Sequence, residues 1–150
     1  MIQKWNTQVR PIDRVYCLGD FSFYKASITE SIVKRLNGNI HLILGNHDNW
    51  LNDYNYNKKL FGSVSNYKEI KVAGRKVVLM HYPIYEWNLM HRGSYHLFGH
   101  VHGNVTIPGR AMDVGIDTRP QKDMGLWSWK EIDEILNEKE IRSHHNKVLD

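Results

Sequence analysis

The 150-residue sequence has one cysteine, four prolines and no long apolar run. A single thiol, that of Cys17, cannot form an internal disulfide, which excludes a disulfide-stapled secreted domain. No segment approaches the roughly 20 consecutive apolar residues of a bilayer-spanning helix, and the first residues carry no apolar signal-peptide core. We therefore expect a cytoplasmic location and a single domain over residues 1–150, with no membrane partner.

The sequence also lacks a long block of like charges. Its 20 Lys and Arg residues against 16 Asp and Glu residues give a net charge of +4, spread along the chain. This charge allows an anionic partner such as a phosphate compound, while an ordinary solvated surface is an equally good interpretation. A dedicated nucleic-acid-binding protein would show a basic stripe, which is absent here. The abundant residue is histidine, with nine copies, and histidine is the commonest metal ligand and acid–base group.

The hydrophobic pattern predicts an α/β fold, because short apolar runs alternate with segments of helical periodicity. The predicted strands cover residues 13–18, 40–44, 69–72, 75–80, 95–98 and 111–115. Two Ser-x-x-Glu pairs, Ser27 with Glu30 and Ser128 with Glu131, have the spacing of a capping box and predict helix starts. In the first of these helices Ile28, Ile32 and Leu36 recur at helical spacing and mark its apolar stripe.

Four of the predicted strands end in polar clusters. The clusters are Gly19-Asp20, Gly45-Asn46-His47-Asp48, His81 and Gly99-His100-Val101-His102. Ligands collect at the carboxyl ends of strands in layered α/β folds, so these side chains converge if the strands share a sheet. Carboxylate, amide and imidazole ligands together suit a divalent transition metal such as Mn, Fe, Zn or Co. Each cluster alone has an ordinary explanation as a turn or a hydrogen-bonded histidine, but four in succession favour a metal site.

These segments resemble the calcineurin-like metallophosphoesterases, and in particular the small phage and bacterial members of that family. The resemblance rests on the segments Leu18 to Phe21, Gly45 to Asp48, His81 to Pro83 and Gly99 to His102. It extends over most of the chain and implies a β-sandwich flanked by helices with a two-metal site.

The resemblance also implies a role for each site residue. The implied metal ligands are Asp20, Asn46, His81, His100 and His102. Asp20 would bridge the two metals, and His102 would belong to the second site. His47 would face the scissile phosphate as an acid, and Asp48 would orient it. Two metals about 3.5–4 Å apart would activate hydroxide for an in-line displacement at phosphorus.

One family motif has no counterpart in the sequence. The family opens with Asp-x-His at the end of a first strand, and residues 1–18 contain no histidine. We therefore expect that the first strand is missing, that one metal site is complete and that the second is incomplete. The strands carrying Asp20 and Asn46 would then keep free edges. Such edges favour a homo-oligomer, a recruited fragment, or replacement by residues 1–9 with Trp5 as the anchor.

The predicted function is metal-dependent hydrolysis of a phosphomonoester or phosphodiester, with a nucleotide or nucleic acid among the candidate substrates. The alternative is a catalytically weak or inactive family-derived scaffold that binds a protein partner. Retention of His47 favours the enzyme, since a scaffold has no need of an acid. His91 and Arg92 lie in a loop between two of the strand ends, where Arg92 could grip a phosphate oxygen, although a solvated loop is the ordinary explanation.

Overall fold

In the computed structural model, which describes residues 1–120 and 123–143, seven strands form two sheets. The first sheet is parallel, in the order β1 (Arg14–Cys17), β2 (Asn39–Ile43), β3 (Ser63–Ser65). The second sheet has the order β4 (Tyr67–Val72), β5 (Arg75–Met80), β6 (Tyr95–Phe98), β7 (Ala111–Asp113). In the second sheet β4 and β5 form an antiparallel hairpin, and β5, β6 and β7 run parallel.

In the part of the chain that the structure describes, three α-helices flank the sheets, as expected for the predicted fold class. They are α1 (Ile2–Gln8), α2 (Ala26–Val33) and α3 (Trp129–Asn137). In the described residues, no helix has the length and apolar character that a membrane crossing requires.

The main core lies between the two sheets and α3. It joins Leu18 and Ile43, from the first sheet and its loops, to Val77 and Leu79 of β5 and to Leu136 of α3. A second apolar cluster packs α2 against the outer face of β2, through residues such as Val33 and Leu42. The uninterrupted apolar run of β5 follows from this arrangement, since both faces of that strand are covered.

The second predicted capping box is confirmed. Ser128 accepts a hydrogen bond from the backbone N–H of Glu131, and the Glu131 carboxylate accepts one from the backbone N–H of Ser128. The first is wrong: α2 begins after Lys25, which places Ser27 inside the helix. The Glu30 carboxylate instead accepts hydrogen bonds from Lys34 and from the backbone of Asn57.

The predicted apolar stripe of this segment is buried only in part. Ile32 and Leu36 are partly buried, whereas Ile28 is exposed. The buried residues of α2 are Ala26, Thr29 and Val33. The Thr29 hydroxyl donates to Ser22 Oγ at 2.8 Å, and this buried contact belongs to the face that turns toward the sheet.

The free edges predicted around the Asp20 and Asn46 strands are found only in part. β1 is at an edge of its sheet, but β2 is hydrogen-bonded to β1 on one side and to β3 on the other. Residues 1–9 do not supply a strand, because Ile2–Gln8 is helical. Trp5 does anchor this segment, since its indole N–H donates to the carbonyl of Asn37 at 2.9 Å.

Candidate metal centre

Four strand ends bring the predicted ligands together where the two sheets meet. Asp20 follows β1 and Asn46 follows β2 in the first sheet, while His81 and His100 follow β5 and β6 in the second. The ligand atoms of Asp20, His81 and His100 all lie within 4.8 Å of one another. The convergence predicted from the sequence therefore occurs, although between two sheets rather than at the edge of one.

The backbone around this cluster adopts unusual conformations. Asp20, His100 and His102 have positive φ angles of 52°, 69° and 50°, a region that costs non-glycine residues about 1–2 kcal/mol each. Strain of this kind is typical of functional sites. Gly45 permits the close approach of two loops, since a Cβ at that position would collide with the backbone nitrogen and carboxylate of Asp20.

His81 is held in an orientation that suits a metal ligand. Its ring is 2 % exposed, and its Nδ1 lies 2.6 Å from the carbonyl oxygen of Leu18. When Nδ1–H donates to that carbonyl, the neutral ring presents the lone pair of Nε2. This nitrogen lies 3.0 Å from Asn46 Oδ1 and 3.5 Å from Asp20 Oδ2. Lone pairs of three side chains thus point to one place, and the donor set fits a divalent transition metal.

His47 lies beside the cluster with its ring exposed. Its backbone N–H donates to Asp20 Oδ1 at 2.9 Å, which fixes the loop after β2 against the loop after β1. The imidazole packs against Phe23, with ring centroids 5.2 Å apart. This position leaves the His47 side chain available to a molecule held at the cluster.

The Asp48 carboxylate is buried and binds the two loops together. The donors to it are the backbone N–H groups of Asp20, Phe21 and Gly45, each at 2.9 Å, and the indole of Trp50 at 3.2 Å. No hydrogen bond joins Asp48 to the His47 ring in the described part of the chain, so orientation of His47 by Asp48 stays a prediction. The sequence analysis did not predict these hydrogen bonds between the two loops. They join residues up to 28 positions apart, and no motif in the local sequence indicates them.

His102 lies outside the group of three and pairs with Asp117. Its Nδ1 is 2.6 Å from Asp117 Oδ2, and this hydrogen bond raises the pKa of His102. The negative charges of Asp117, Asp113 and Asp20 raise the pKa of His102 further. The sequence did not single out Asp117 as a partner of His102.

His91 and Arg92 are not brought to the cluster. They lie in a 3₁₀ segment, Met90–Arg92, that precedes β6, whereas His100 follows it. The next residue, Gly93, accepts a hydrogen bond from Arg75 at the start of β5. Because β5 and β6 are parallel, the connection between them returns to the opposite end of the sheet. This placement gives no support to the predicted contact of Arg92 with substrate, which stays a prediction.

Two open clefts adjoin the cluster. One, of about 270 Å³, lies between Asn46 and Tyr82. The other, of about 570 Å³, lies on the His47 side. We call the second the His47 groove; it is lined by Ser22, Phe23, Tyr24, Lys25, Ala26, His47, Asn49, Trp50 and Asp53.

Residues 1–110 match the calcineurin-like phosphoesterase superfamily domain. The chain therefore belongs to this superfamily. This match confirms the predicted family, while the small phage and bacterial type stays a prediction.

Similarity extends to two further proteins. An uncharacterized protein of Methanocaldococcus jannaschii is 35% identical over 106 residues, which cover 69% of this chain and 52% of that protein. The chain thus spans about half the length of this curated relative. A crystal structure of a protein of unknown function from Aquifex aeolicus shares the fold with a TM-score of 0.64 at 22% identity. The similarity covers 89% of this chain and 82% of the other.

Proposed function

We propose that this chain hydrolyses a phosphomonoester or phosphodiester with the help of a divalent transition metal ion. The observation that supports this proposal is the convergence of Asp20, His81 and His100 within 4.8 Å, with Asn46 Oδ1 next to His81 Nε2. Mn, Fe, Zn and Co all suit these ligands. When bound, such an ion polarises the phosphoryl group and makes a water molecule more acidic.

The remaining residues position the ester and handle the proton. Asp48 fixes the loops that carry Asp20 and His47, so the cluster is formed before substrate arrives. His47 is exposed at the edge of the cluster, close enough for its backbone to bond Asp20. From this place we assign to its imidazole the protonation of the leaving oxygen.

A substitution of His47 tests this proposal. The His47→Asn variant should hydrolyse bis(4-nitrophenyl) phosphate or 4-nitrophenyl phosphate roughly 10²- to 10⁴-fold more slowly, because it lacks the acid. Its manganese content, measured by elemental analysis after incubation with Mn²⁺, should match that of the parent chain. A matched control is His91→Asn, which removes an exposed histidine at the opposite end of the sheet and should leave turnover unchanged.

Two results would contradict the proposal in different ways. Loss of manganese together with activity in His47→Asn would make His47 a ligand rather than the acid. Absence of turnover by the parent chain with every divalent metal tried would favour the alternative, a family-derived scaffold that binds a protein partner.

A further inference from the structure

Phe23 is an exposed aromatic ring directly beside the residue assigned as the acid. Its side chain is 76% exposed, and its ring lies 5.2 Å from that of His47. The next residue, Tyr24, is also exposed. Two adjacent exposed rings next to a reaction centre present apolar flat surfaces to whatever is attached to the bound phosphate.

The turn that carries these rings is held in place by buried polar contacts. Ser22 is buried, and its Oγ accepts hydrogen bonds from the backbone N–H of Tyr24 at 3.2 Å and from the Thr29 hydroxyl at 2.8 Å. Thr29 is fully buried in α2. The backbone that carries the aromatic pair therefore has a defined position before any ligand binds, which lowers the entropic cost of binding.

The His47 groove combines these flat surfaces with polar groups of both kinds. Its lining includes the aromatic residues Phe23 and Tyr24 together with Lys25, Asn49 and Asp53. In the described part of the chain neither Lys25 nor Asp53 forms an ion pair.

We propose that the His47 groove is a nucleoside subsite, in which Phe23 stacks on the base of a nucleotide whose phosphate lies at the metal centre. The proposal rests on the proposed function, which places the phosphate at Asp20, His81 and His100. A plain aryl group would use the aromatic surface alone. A nucleoside also has donors and acceptors along its base edge and sugar, which the ammonium, amide and carboxylate of the groove can bind.

Equilibrium dialysis with AMP and with ribose 5-phosphate tests the subsite, because the two probes carry the same phosphate and differ by the base. With Mn²⁺ present, the parent chain should bind AMP at least about fivefold more tightly than ribose 5-phosphate. A factor of about five is the lower end of the gain in affinity expected when one base stacks on an aromatic side chain. The Phe23→Leu variant keeps an apolar side chain of similar bulk but loses the flat ring, so the two affinities should become nearly equal. Phe23→Tyr should restore the preference for AMP.

Tyr54→Leu is the matched control, since Tyr54 is a fully exposed aromatic residue that does not line the groove. It should keep the preference for AMP. Equal binding of the two probes by the parent chain, or binding of neither, would overturn the subsite. Loss of self-association in Phe23→Leu, with AMP binding unchanged, would assign the aromatic pair to a protein contact and would also overturn it.

The dialysis measures binding without turnover. A failure of the nucleoside subsite can therefore be distinguished from a failure of the proposed function. Hydrolysis of aryl phosphates without any preference for AMP would overturn the subsite alone. A preference for AMP that depends on Phe23, in a chain that hydrolyses no ester, would support the nucleoside groove and contradict the proposed function.

Discussion

Asp48 illustrates how one buried carboxylate can organise a site without belonging to its ligand set. It accepts hydrogen bonds from the backbone of Asp20 and Phe21 on one loop and of Gly45 on another. An ionised carboxylate can satisfy all these donors at once, since each oxygen accepts more than one hydrogen bond. The position of the Asp20 carboxylate therefore depends on a residue 28 positions later in the chain.

The Asp48→Asn variant should lose both stability and metal affinity. The amide has one accepting oxygen, and its NH₂ group would face backbone N–H donors, leaving buried donors unpaired at about 1–3 kcal/mol each. We expect a lower free energy of unfolding in urea and weaker Mn²⁺ binding by titration. Asp53→Asn, which alters an exposed carboxylate in the following loop, should change neither quantity appreciably. Unchanged Mn²⁺ affinity in Asp48→Asn would show that the loops do not need this carboxylate.

At the level of single residues, the sequence predicted the residue types of the site better than their contacts. Asp20 and His81 could be identified because each follows an apolar strand and both types bind metals. The inward orientation of Asp48 and the pairing of His102 with Asp117 depend on tertiary packing, for which the local sequence has no signal. The position of Arg92 likewise depends on the path of the connection between two parallel strands, which the local sequence does not specify.

Among the elements, the two Ser-x-x-Glu pairs show why a local motif is an incomplete guide. Both pairs have the capping-box spacing, yet only Ser128 caps a helix. The Glu30 carboxylate of the other pair binds Lys34 and the Asn57 backbone, and the start of α2 lies one residue before Ser27. Tertiary contacts therefore decide which pair becomes a cap.

Substitution of each serine by alanine compares the stability lost at a capping position with that lost at a position inside a helix. Ser128→Ala removes the side-chain acceptor at the start of α3 and should lower the free energy of unfolding by about 0.5–2 kcal/mol. Ser27→Ala lies on the exposed side of α2, where alanine is the better helix former, and should be neutral or slightly stabilising. Urea denaturation of the two variants checks both values. An equal loss of stability in the two would contradict the assignment of the caps.

Across the whole molecule, the sequence predicted every described strand except β3, and the resemblance implied a sandwich of two sheets, but the apolar patterns did not assign each strand to its sheet. Alternating or continuous apolar patterns report which faces of a strand are buried, and they do not identify its neighbours. The run Val77-Val78-Leu79 predicted a strand covered on both faces, which the structure confirms. Only the tertiary structure shows that this strand belongs with β4, β6 and β7, while the Asp20 and Asn46 strands form a separate sheet.

One buried histidine links this core to the pH dependence of folding. His96 in β6 is 0% exposed; its Nδ1–H donates to the carbonyl of Val78 at 3.2 Å, and its Nε2 accepts from the backbone N–H of Ile84 at 3.0 Å. Both ring nitrogens are thus satisfied in the neutral form. Burial lowers the pKa of His96 to about 4. Burial also lowers the pKa of His41, whose ring is only half-buried.

The free energy of unfolding should therefore decrease as the pH falls below 6.5. In that range the unfolded chain protonates His96 while the folded chain does not, so acid favours the unfolded state until the pH reaches the folded pKa of about 4. Between pH 6.5 and pH 5, above the range in which most carboxylates titrate, we expect a loss of about 1.5 kcal/mol from this residue. The raised pKa of His102 acts in the opposite direction, but that ring is exposed and solvent screens its contribution. Urea denaturation at several pH values measures the loss, and an NMR titration of the His96 ring identifies its source. A His96 ring that titrates near pH 6.5 in the folded protein would contradict this account, whatever the denaturation curves show.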